Sequence, residues 1–283
     1  MMNIFFKNYK PFIAIPIILL IVSLGILVNN YAQNGEWFAR SIELRGGTLI
    51  TIALENPVDI ASVQSELSPE FGTLVIRELR GFSGYKLLIE ADENIDSDSL
   101  IKKIEEGYPV TGFSVETMGP ALGEAFWYQT QLAIILAFIM MGVIVFAIFR
   151  TLVPSAAVIL AAMSDILVTL ALMQVFGIEL SLAGMAALLM LIGYSVDTDI
   201  MLTSKLLRTS GDIVDKLKNA IKTGLTMTLT TIGVLVVLII FNISAVLTEI
   251  AVVLFIGLVI DIINTWLQNS VLLRWQCERK GIQ

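Results

Sequence analysis

The chain of 283 residues contains no histidine and a single cysteine. Without histidine it has no Ser-His-Asp or Cys-His nucleophile pair and no imidazole ligand for a metal. One cysteine allows neither an internal disulfide nor a thiolate zinc site. A formal charge of −7 without a basic tract argues against nucleic-acid binding by the whole chain. The residues therefore predict no enzyme activity, no cofactor and no metal site.

Apolar residues, by contrast, make up 56% of the chain, and the mean hydropathy is +0.83. A bilayer core about 30 Å thick is crossed by about 20 apolar residues in a helix. Six runs of suitable length cover 11–28, 128–149, 153–176, 181–202, 223–242 and 247–273. The first is interpreted as a retained anchor, with a cleaved signal peptide as the alternative. The pattern predicts a membrane protein with an α-helical bundle of six transmembrane helices.

Basic residues around these runs predict the orientation. Eleven of the 18 fall on one side if the runs alternate across the membrane, and the loops at 176–181 and 242–248 have none. They are Lys7, Lys10, Arg150, Lys205, Arg208, Lys216, Lys218, Lys222, Arg274, Arg279 and Lys280. Since cytoplasmic loops carry the excess of Lys and Arg, we expect a multi-pass protein of the cytoplasmic membrane with both termini in the cytoplasm.

This orientation divides the chain into three parts. Residues 1–29 hold the N-terminal cytoplasmic segment and the first transmembrane helix. Residues 30–127 form an extracytoplasmic domain. Residues 128–283 hold helices two to six, a cytoplasmic loop near 203–222 and the cytoplasmic C-terminus.

The segment 30–127 alternates strand and helix patterns. Strand-like stretches at 42–54, 73–79, 85–91 and 111–117 are separated by a helix from Asn56-Pro57 to Leu67, a hairpin turn at 80–84, and a helix capped by Asp96 or Ser97. A pair of glycines inside the first strand indicates a bulge or a close approach of backbones. The order β-α-β-β-α-β predicts an α+β ferredoxin-like domain.

Four aspartates lie within the apolar runs: Asp165 in the third, Asp197 and Asp199 in the fourth, and Asp261 in the sixth. Each costs about 2.5–3.5 kcal/mol at the centre of a bilayer, and no Lys or Arg lies deep in any run to balance it. They must be protonated, solvated in a polar cavity, or paired with another chain. These four are therefore the candidate ion-coupling residues. In the alternative interpretation some of them cap helix ends or bond to neighbouring Ser and Thr, and Asp199, near Lys205, is the best candidate for that role.

Spacing separates the two aspartates of the fourth run. Positions i and i+2 are about 200° apart on a helix, so Asp197 and Asp199 cannot share a face. Asp197 shares its face with Gly193, interpreted as a close-packing position, and Asp199 shares its face with Ser195. We expect one aspartate to face the third or sixth span and the other a partner chain or a loop.

The fifth run carries a stripe of threonines that includes Thr226, Thr230 and Thr231. Threonine is tolerated in a membrane helix because its hydroxyl can bond to the carbonyl four residues earlier. The stripe therefore either packs without function or lines a polar cavity shared with the aspartates.

Three segments carry a family signature. They read Leu44-Arg45-Gly46-Gly47-Thr48 after the first span, Met118-Gly119-Pro120-Ala121-Leu122-Gly123-Glu124 before the second, and Ile192-Gly193-Tyr194-Ser195-Val196-Asp197-Thr198-Asp199 in the fourth. With six spans and one domain after the first, the chain resembles the SecF branch of the SecD/SecF protein-export family, within the RND superfamily. In the third segment, Asp197-Thr198-Asp199 resembles the sequence of archaeal members. The aspartate of bacterial members would fall on Thr198. Lys222 is an approximate counterpart of a bacterial arginine.

The resemblance implies a function in protein export. The family's SecD and SecF pair and use an ion gradient, chiefly of protons, to assist late steps of translocation. The implied partners are SecD, the Sec translocon, the exported polypeptide and the lipid bilayer, with no cofactor. Gly193, Tyr194, Ser195 and Thr198 would support the acidic residues. Two alternatives stay open: a subunit of an RND-type efflux transporter for lipids or small hydrophobic molecules, and a passive scaffold for the extracytoplasmic domain.

Overall fold

The structure is a computed structural model that describes residues 9–81 and 84–280. The basic residue at position 7 and the turn residues 82–83 of the predicted hairpin lie outside the described residues. Within the described part, six helices are long and apolar enough to cross a membrane, as predicted. These spans one to six are Lys10–Asn34, Pro120–Phe149, Leu152–Val175, Leu182–Arg208, Ile213–Phe241 and Ala245–Arg279.

In chain order the elements are α1 (Ala14–Asn34, after a 3-10 turn at Lys10–Ile13), α2 (Ile42–Arg45), β1 (Gly47–Leu54), α3 (Ile60–Phe71), β2 (Val75–Gly81), β3 (Gly84–Ala91), α4 (Ser97–Gly107), β4 (Val110–Met118), α5 (Pro120–Phe149), α6 (Leu152–Val175), α7 (Leu182–Arg208), α8 (Ile213–Phe241), α9 (Ala245–Ile263), a π turn (Asn264–Asn269) and α10 (Ser270–Lys280).

Spans three, four and six form the centre of the helical bundle. The most apolar stretch of each is buried to 67%, 56% and 39%, against 17% for spans one, two and five. Small residues allow close packing there: a Cβ added to Gly257 on α9 would lie 2.4 Å from Leu191 Cδ2 on α7. Polar residues on the inner faces of these three spans are thereby removed from lipid.

Span six is not a continuous α-helix. After α9 the backbone widens into the π turn, where the Ser270 N–H bonds to the Thr265 carbonyl five residues earlier. Such turns are rare inside α-helices and often occur at functional sites. This one lies in the middle of the bundle, with Asn264, Thr265 and Asn269 all at 0% exposure.

The segment between spans one and two forms a small sheet domain. Its four strands are antiparallel in the order β2-β3-β1-β4. Alternate residues of β1, such as Ile50 and Ile52, pack against Leu67 of α3 and Leu100 of α4, so both helices cover one face. The predicted order of strands and helices is present.

Two predicted boundaries of the sheet domain are corrected. The first strand begins at Gly47, because Ile42–Arg45 form the helical turn α2 and Gly46 takes a φ of +86°. The first helix begins at Ile60, because the Asp59 side chain caps it by accepting the Ala61 N–H at 3.2 Å. The Asn-Pro pair three residues earlier is not the cap.

The expected loop at 203–222 is also mostly helical. Here α7 continues to Arg208 and α8 begins at Ile213, with Asp212 as its N-cap. Only four residues therefore connect spans four and five.

Glycines of the first two signature segments meet where the sheet domain joins span two. A Cβ added to Gly46 would lie 2.7 Å from Pro120 Cα, and one added to Gly123 would lie 2.6 Å from the Gly46 nitrogen. A Cβ on Gly47, whose φ is +133°, would lie 2.8 Å from the Ala91 oxygen. The predicted close approach of backbones is confirmed, and this contact is called the glycine joint.

A second contact joins the sheet domain to the loop between spans three and four. The Ser41 N–H bonds to the Leu180 oxygen at 3.0 Å, and the Leu180 N–H bonds to the Ala39 oxygen at 2.9 Å. The Gln174 side chain at the end of α6 accepts the Ala39 N–H at 2.9 Å. This contact is called the loop junction.

Candidate functional site

Three of the four membrane aspartates lie together between spans three, four and six. Asp165 on α6, Asp199 on α7 and Asp261 on α9 are 0%, 0% and 1% exposed. Asp261 lies within electrostatic reach of both others. We call these three residues the acid cluster.

Asp165 is held by groups from two other spans. Its Oδ2 accepts a hydrogen bond from Ser195 Oγ at 2.6 Å, and its Oδ1 accepts one from Asn264 Nδ2 at 2.7 Å. The same amide nitrogen lies 3.1 Å from Ser164 Oγ. Ser195 belongs to the third signature segment, and Asn264 begins the π turn. Side chains of the protein itself therefore supply the hydrogen bonds that water would otherwise donate to the Asp165 carboxyl group.

Asp199 and Asp261 share a donor from the π turn. Asp199 Oδ1 accepts from Asn269 Nδ2 at 2.6 Å and lies 3.0 Å from Thr265 Oγ1. The same Thr265 Oγ1 lies 3.0 Å from Asp261 Oδ1. Because a hydroxyl carries one proton, Thr265 can donate to only one of the two carboxyl groups at a time. The other contact becomes favourable when that carboxyl group carries a proton itself.

No cation balances the acid cluster within the described part of the chain, where every ion pair involves other residues. The Oδ2 atoms of Asp199 and Asp261 and the Oδ1 atoms of Asn264 and Asn269 are buried without a hydrogen-bond partner. Burying an ionised carboxylate unpaired costs several kcal/mol. A protonated carboxyl group would instead donate to an amide oxygen. The cluster therefore holds buried oxygen atoms for which the described residues supply neither a cation nor a hydrogen-bond donor.

The π turn explains how two asparagines reach two aspartates. In an α-helix, residues five apart point about 140° away from each other. In a π turn the backbone bonds run from i to i+5, which brings such residues close to the same side. Asn264 and Asn269 consequently face Asp165 and Asp199 at once.

The structure places Asp197 apart from the acid cluster, on an exposed side of α7. The expected difference in face is present, with Asp199 toward span six. The alternative interpretation gives Asp199 a structural role, bonded to a Ser or Thr of a neighbouring span. Asp199 does accept a hydrogen bond from Thr265 of span six, and it also belongs to the acid cluster. Gly193 is not a close-packing position in this chain, because a Cβ added there would meet nothing within 4 Å. Tyr194 beside it is 40% exposed.

The threonine stripe does not line a cavity shared with the aspartates. Thr226 and Thr230 are exposed on α8 and Thr231 is half-buried, and all three donate to carbonyl oxygens of their own helix at 2.7–3.2 Å. Lys222 is also exposed. The interpretation as a cavity lining is therefore wrong, because these threonines lie on a side of span five that the bundle leaves open.

The remaining signature residues have local partners. Thr198 is buried and donates to the Tyr194 carbonyl at 3.2 Å. Thr48 Oγ1 lies 3.2 Å from Thr117 Oγ1 on β4. Gly119 caps α5, and its carbonyl accepts the Gly123 N–H at 3.1 Å.

Sequence reasoning missed Asn264, Thr265 and Asn269. A signal was present, since Asn264-Thr265 and Gln268-Asn269 interrupt the sixth apolar run. A buried amide costs free energy unless it is hydrogen-bonded, so two such pairs indicate polar partners within the bundle.

Comparisons with known proteins agree with the signature. Residues 99–279 match the family described as "Protein export membrane protein SecD/SecF, C-terminal". The protein-export membrane protein SecF of Methanocaldococcus jannaschii is 40% identical over 280 residues, which cover 95% of this chain and 96% of that protein. SecF of Methanothermobacter thermautotrophicus is also 40% identical over 280 residues, covering 96% of this chain and 94% of that protein.

The fold is found in a solved structure as well. SecDF, a translocon-associated membrane protein from Thermus thermophilus, superimposes with a TM-score of 0.76 at 22% identity. The match covers 96% of this chain and 38% of that longer chain. The signature segments, the six spans and these matches establish that the chain belongs to the SecD/SecF family of protein-export membrane proteins.

Proposed function

We propose that the chain is an accessory subunit of the Sec protein-export machinery that pairs with SecD and couples a proton gradient to late steps of translocation across the cytoplasmic membrane. The observation that carries this proposal is the acid cluster, three buried carboxyl groups with no cation among the described residues. The SecF names of its relatives support the export role. In this role the chain is a transport accessory and not an enzyme.

Proton uptake would change contacts between spans. A carboxylate only accepts hydrogen bonds, whereas a protonated carboxyl group also donates one. When Asp199 gains a proton on Oδ2, which has no hydrogen-bond partner, that oxygen becomes a donor, and the bonds from Thr265 and Asn269 to Oδ1 weaken because the negative charge is lost. Because both belong to the π turn, protonation alters how span six is held against span four.

Pairing with SecD would cover polar residues that this chain leaves open in the membrane. Asp197 and Tyr194 are exposed on α7, and a carboxylate facing lipid is costly. In the sheet domain the edge strand β4 is exposed, with Phe113 at 56% and Val115 at 40%. The SecDF chain extends well beyond the part that this chain matches. These surfaces would take the partner and the exported polypeptide.

The proposed orientation follows the basic residues. Both termini would be cytoplasmic, residues 30–127 extracytoplasmic, and residues 1–29 and 128–283 would carry the membrane helices with their cytoplasmic ends. We assign the sheet domain to the ferredoxin-like class, supported by its element order and by the strand order β2-β3-β1-β4.

The test is export in host cells whose own copy is replaced by this chain. Asp199→Asn should lower export to the level of cells without the chain, at an unchanged amount of protein. Asp215→Asn, whose side chain is 72% exposed, should export like the wild type. An ionophore that dissipates the proton gradient should lower export in wild-type cells by the same amount as Asp199→Asn does. Wild-type export by Asp199→Asn would refute coupling through the cluster, and failure of SecD to co-purify would refute pairing.

A further inference from the structure

A cavity of about 840 Å³ lies where spans four and five are connected. It is lined by the end of α7, the connecting residues 209–212 and the part of α8 that ends at Met227. Three lysines line it, Lys205, Lys216 and Lys222. We call it the lysine cavity. Its volume lies within the range of about 300–1,000 Å³ that is usual for pockets that hold a small ligand.

Positive charge exceeds negative charge in the lining of the lysine cavity. Among the described residues two acids line it, Asp212 and Asp215. The Asp212 side chain caps α8 and accepts the Val214 N–H at 3.0 Å. The Asp215 carboxyl group pairs at 3.2 Å with Lys218, which does not line the cavity. Both acids are therefore engaged with other groups, and the three lysines leave a surplus of positive charge.

Lys216 is the residue that indicates a ligand. Its side chain, near the start of α8, is 5% exposed, and its Nζ is buried without a hydrogen-bond partner. No ion pair within residues 9–81 and 84–280 includes it. A buried ammonium group costs several kcal/mol unless an anion neutralises it. Because the lysine stem is flexible, rotation of its last torsions brings Nζ to an anion in the cavity that the residue lines.

Other groups of the cavity are available as hydrogen-bond donors. Lys205 Nζ on α7 donates to the Asn219 carbonyl at 3.1 Å and to Thr223 Oγ1 at 2.6 Å, both on α8. An ammonium group has three N–H bonds, so one remains for a further acceptor. Lys222 and the Ser210 hydroxyl line the same cavity and are exposed. Lysine ammonium groups are common ligands of phosphate, to which they bind as point charges.

The shape of the cavity favours a lipid over a free anion. Its lining extends from Asp212 to Met227, about 22 Å along the axis of α8, which is far longer than a phosphate ion. Val234 and Phe241 follow within about 40° of Met227 around the helix axis. These three side chains are 62%, 57% and 46% exposed, respectively. Cationic donors thus lead into an exposed apolar surface, as a phosphate headgroup leads into hydrocarbon chains.

We propose that the lysine cavity binds the phosphate group of an anionic membrane lipid, with the hydrocarbon chains along the open side of α8. The phosphate neutralises the Lys216 ammonium group and connects α7 to α8 through Lys205. In the proposed orientation the cavity faces the cytoplasm, where basic pockets between membrane helices bind anionic headgroups. This site goes beyond the proposed function, because lipid binding requires neither SecD nor the acid cluster.

The first test is thermal unfolding of the full-length protein in dodecyl maltoside, a neutral detergent, with and without phosphatidylglycerol. A ligand of the folded state raises Tm, so phosphatidylglycerol should stabilise the wild type more than zwitterionic phosphatidylcholine does. Lys216→Met keeps an apolar stem without the charge, and it should gain little from phosphatidylglycerol. Lys10→Met removes an exposed lysine outside the cavity and should respond like the wild type. Equal gains in the wild type and Lys216→Met would overturn the proposal.

The second test measures binding of phosphatidylglycerol by native mass spectrometry. Loss of a bond to a charged group should weaken binding about tenfold or more in Lys216→Met. Lys222→Met changes an exposed side chain, so its fold is not at risk, and binding should weaken about twofold to fivefold. Unchanged binding in Lys222→Met and Lys216→Met, or equal binding of phosphatidylcholine, would refute the site. Displacement of the lipid by millimolar inorganic phosphate would show that the ligand is a free anion and not a lipid.

Discussion

Gly123→Ala is expected to weaken the glycine joint. The added Cβ would lie 2.6 Å from the Gly46 nitrogen and 3.0 Å from the Arg45 carbonyl carbon. The shorter distance is 0.8 Å below the 3.4 Å at which ordinary contact begins. Since both neighbours are backbone atoms, no side-chain rotation can relieve the overlap, and α5 must move away from the segment before β1.

The magnitude follows from two opposing effects. Overpacking of this kind costs about 1–3 kcal/mol, whereas alanine in place of a helical glycine stabilises by about 1 kcal/mol. Gly142→Ala provides the matched control, because it lies on the same helix and its Cβ would meet only Ile159 Cδ1, at 3.4 Å. We expect the control to gain stability and Gly123→Ala to be less stable than the control by about 1–3 kcal/mol.

The assay is unfolding of the full-length protein by sodium dodecyl sulfate in mixed micelles, followed by circular dichroism. Gly123→Ala should unfold at lower detergent fraction than Gly142→Ala. The double variant Gly46→Ala, Gly123→Ala should lose less stability than the two single losses combined, because both push the same backbones apart. Equal stability of Gly123→Ala and Gly142→Ala would refute the close approach.

Two further predictions concern the bundle. Asn269→Leu removes the donor 2.6 Å from Asp199 Oδ1, so gradient-driven export should fall, while Thr230→Val on the exposed stripe should leave export unchanged. Wild-type export by Asn269→Leu would contradict this role. Gly257→Ala should destabilise the protein by about 1–3 kcal/mol through contact with Leu191, and Leu191→Ala alone by about 2–5 kcal/mol. In the same unfolding assay, the double variant Gly257→Ala, Leu191→Ala should lose less stability than the two single variants lose together. A loss equal to that sum would argue against contact between the two residues.

The spans were predictable because a bilayer demands long apolar helices whatever the neighbouring helices are. The element order of the sheet domain was predictable from local patterns as well. The start of β1 was not, because Gly46 leaves the strand conformation to make room for Pro120, a residue remote in sequence. The start of α3 was not predictable either, because it depends on which side chain, that of Asn56 or that of Asp59, reaches the free N–H groups of the first helical turn.

The acid cluster was predictable in part. Spacing alone shows that Asp197 and Asp199 face different sides, but only packing decides that Asp199 faces span six. The threonine stripe of α8 has the pattern of a cavity lining, but Thr226 and Thr230 lie on an open side instead. The polar pairs in the sixth run indicate that Asn264 and Asn269 are buried with polar partners, but a regular α-helix does not predict their common direction, because that depends on the widened backbone between them.

The π turn changes the direction in which every later side chain of span six points around the helix axis. One extra residue in a turn rotates later side chains by about 100° relative to an uninterrupted α-helix. Leu273 would then point about 120° away from Asp261 without the shift and about 20° with it. Its 0% exposure, and that of Cys277, agree with the shifted phase. Span six thus presents amides that bind the aspartates at its middle and buried apolar side chains at its end, and deleting a single residue in the turn would rotate α10 by about 100° and turn Leu273 away from its buried position.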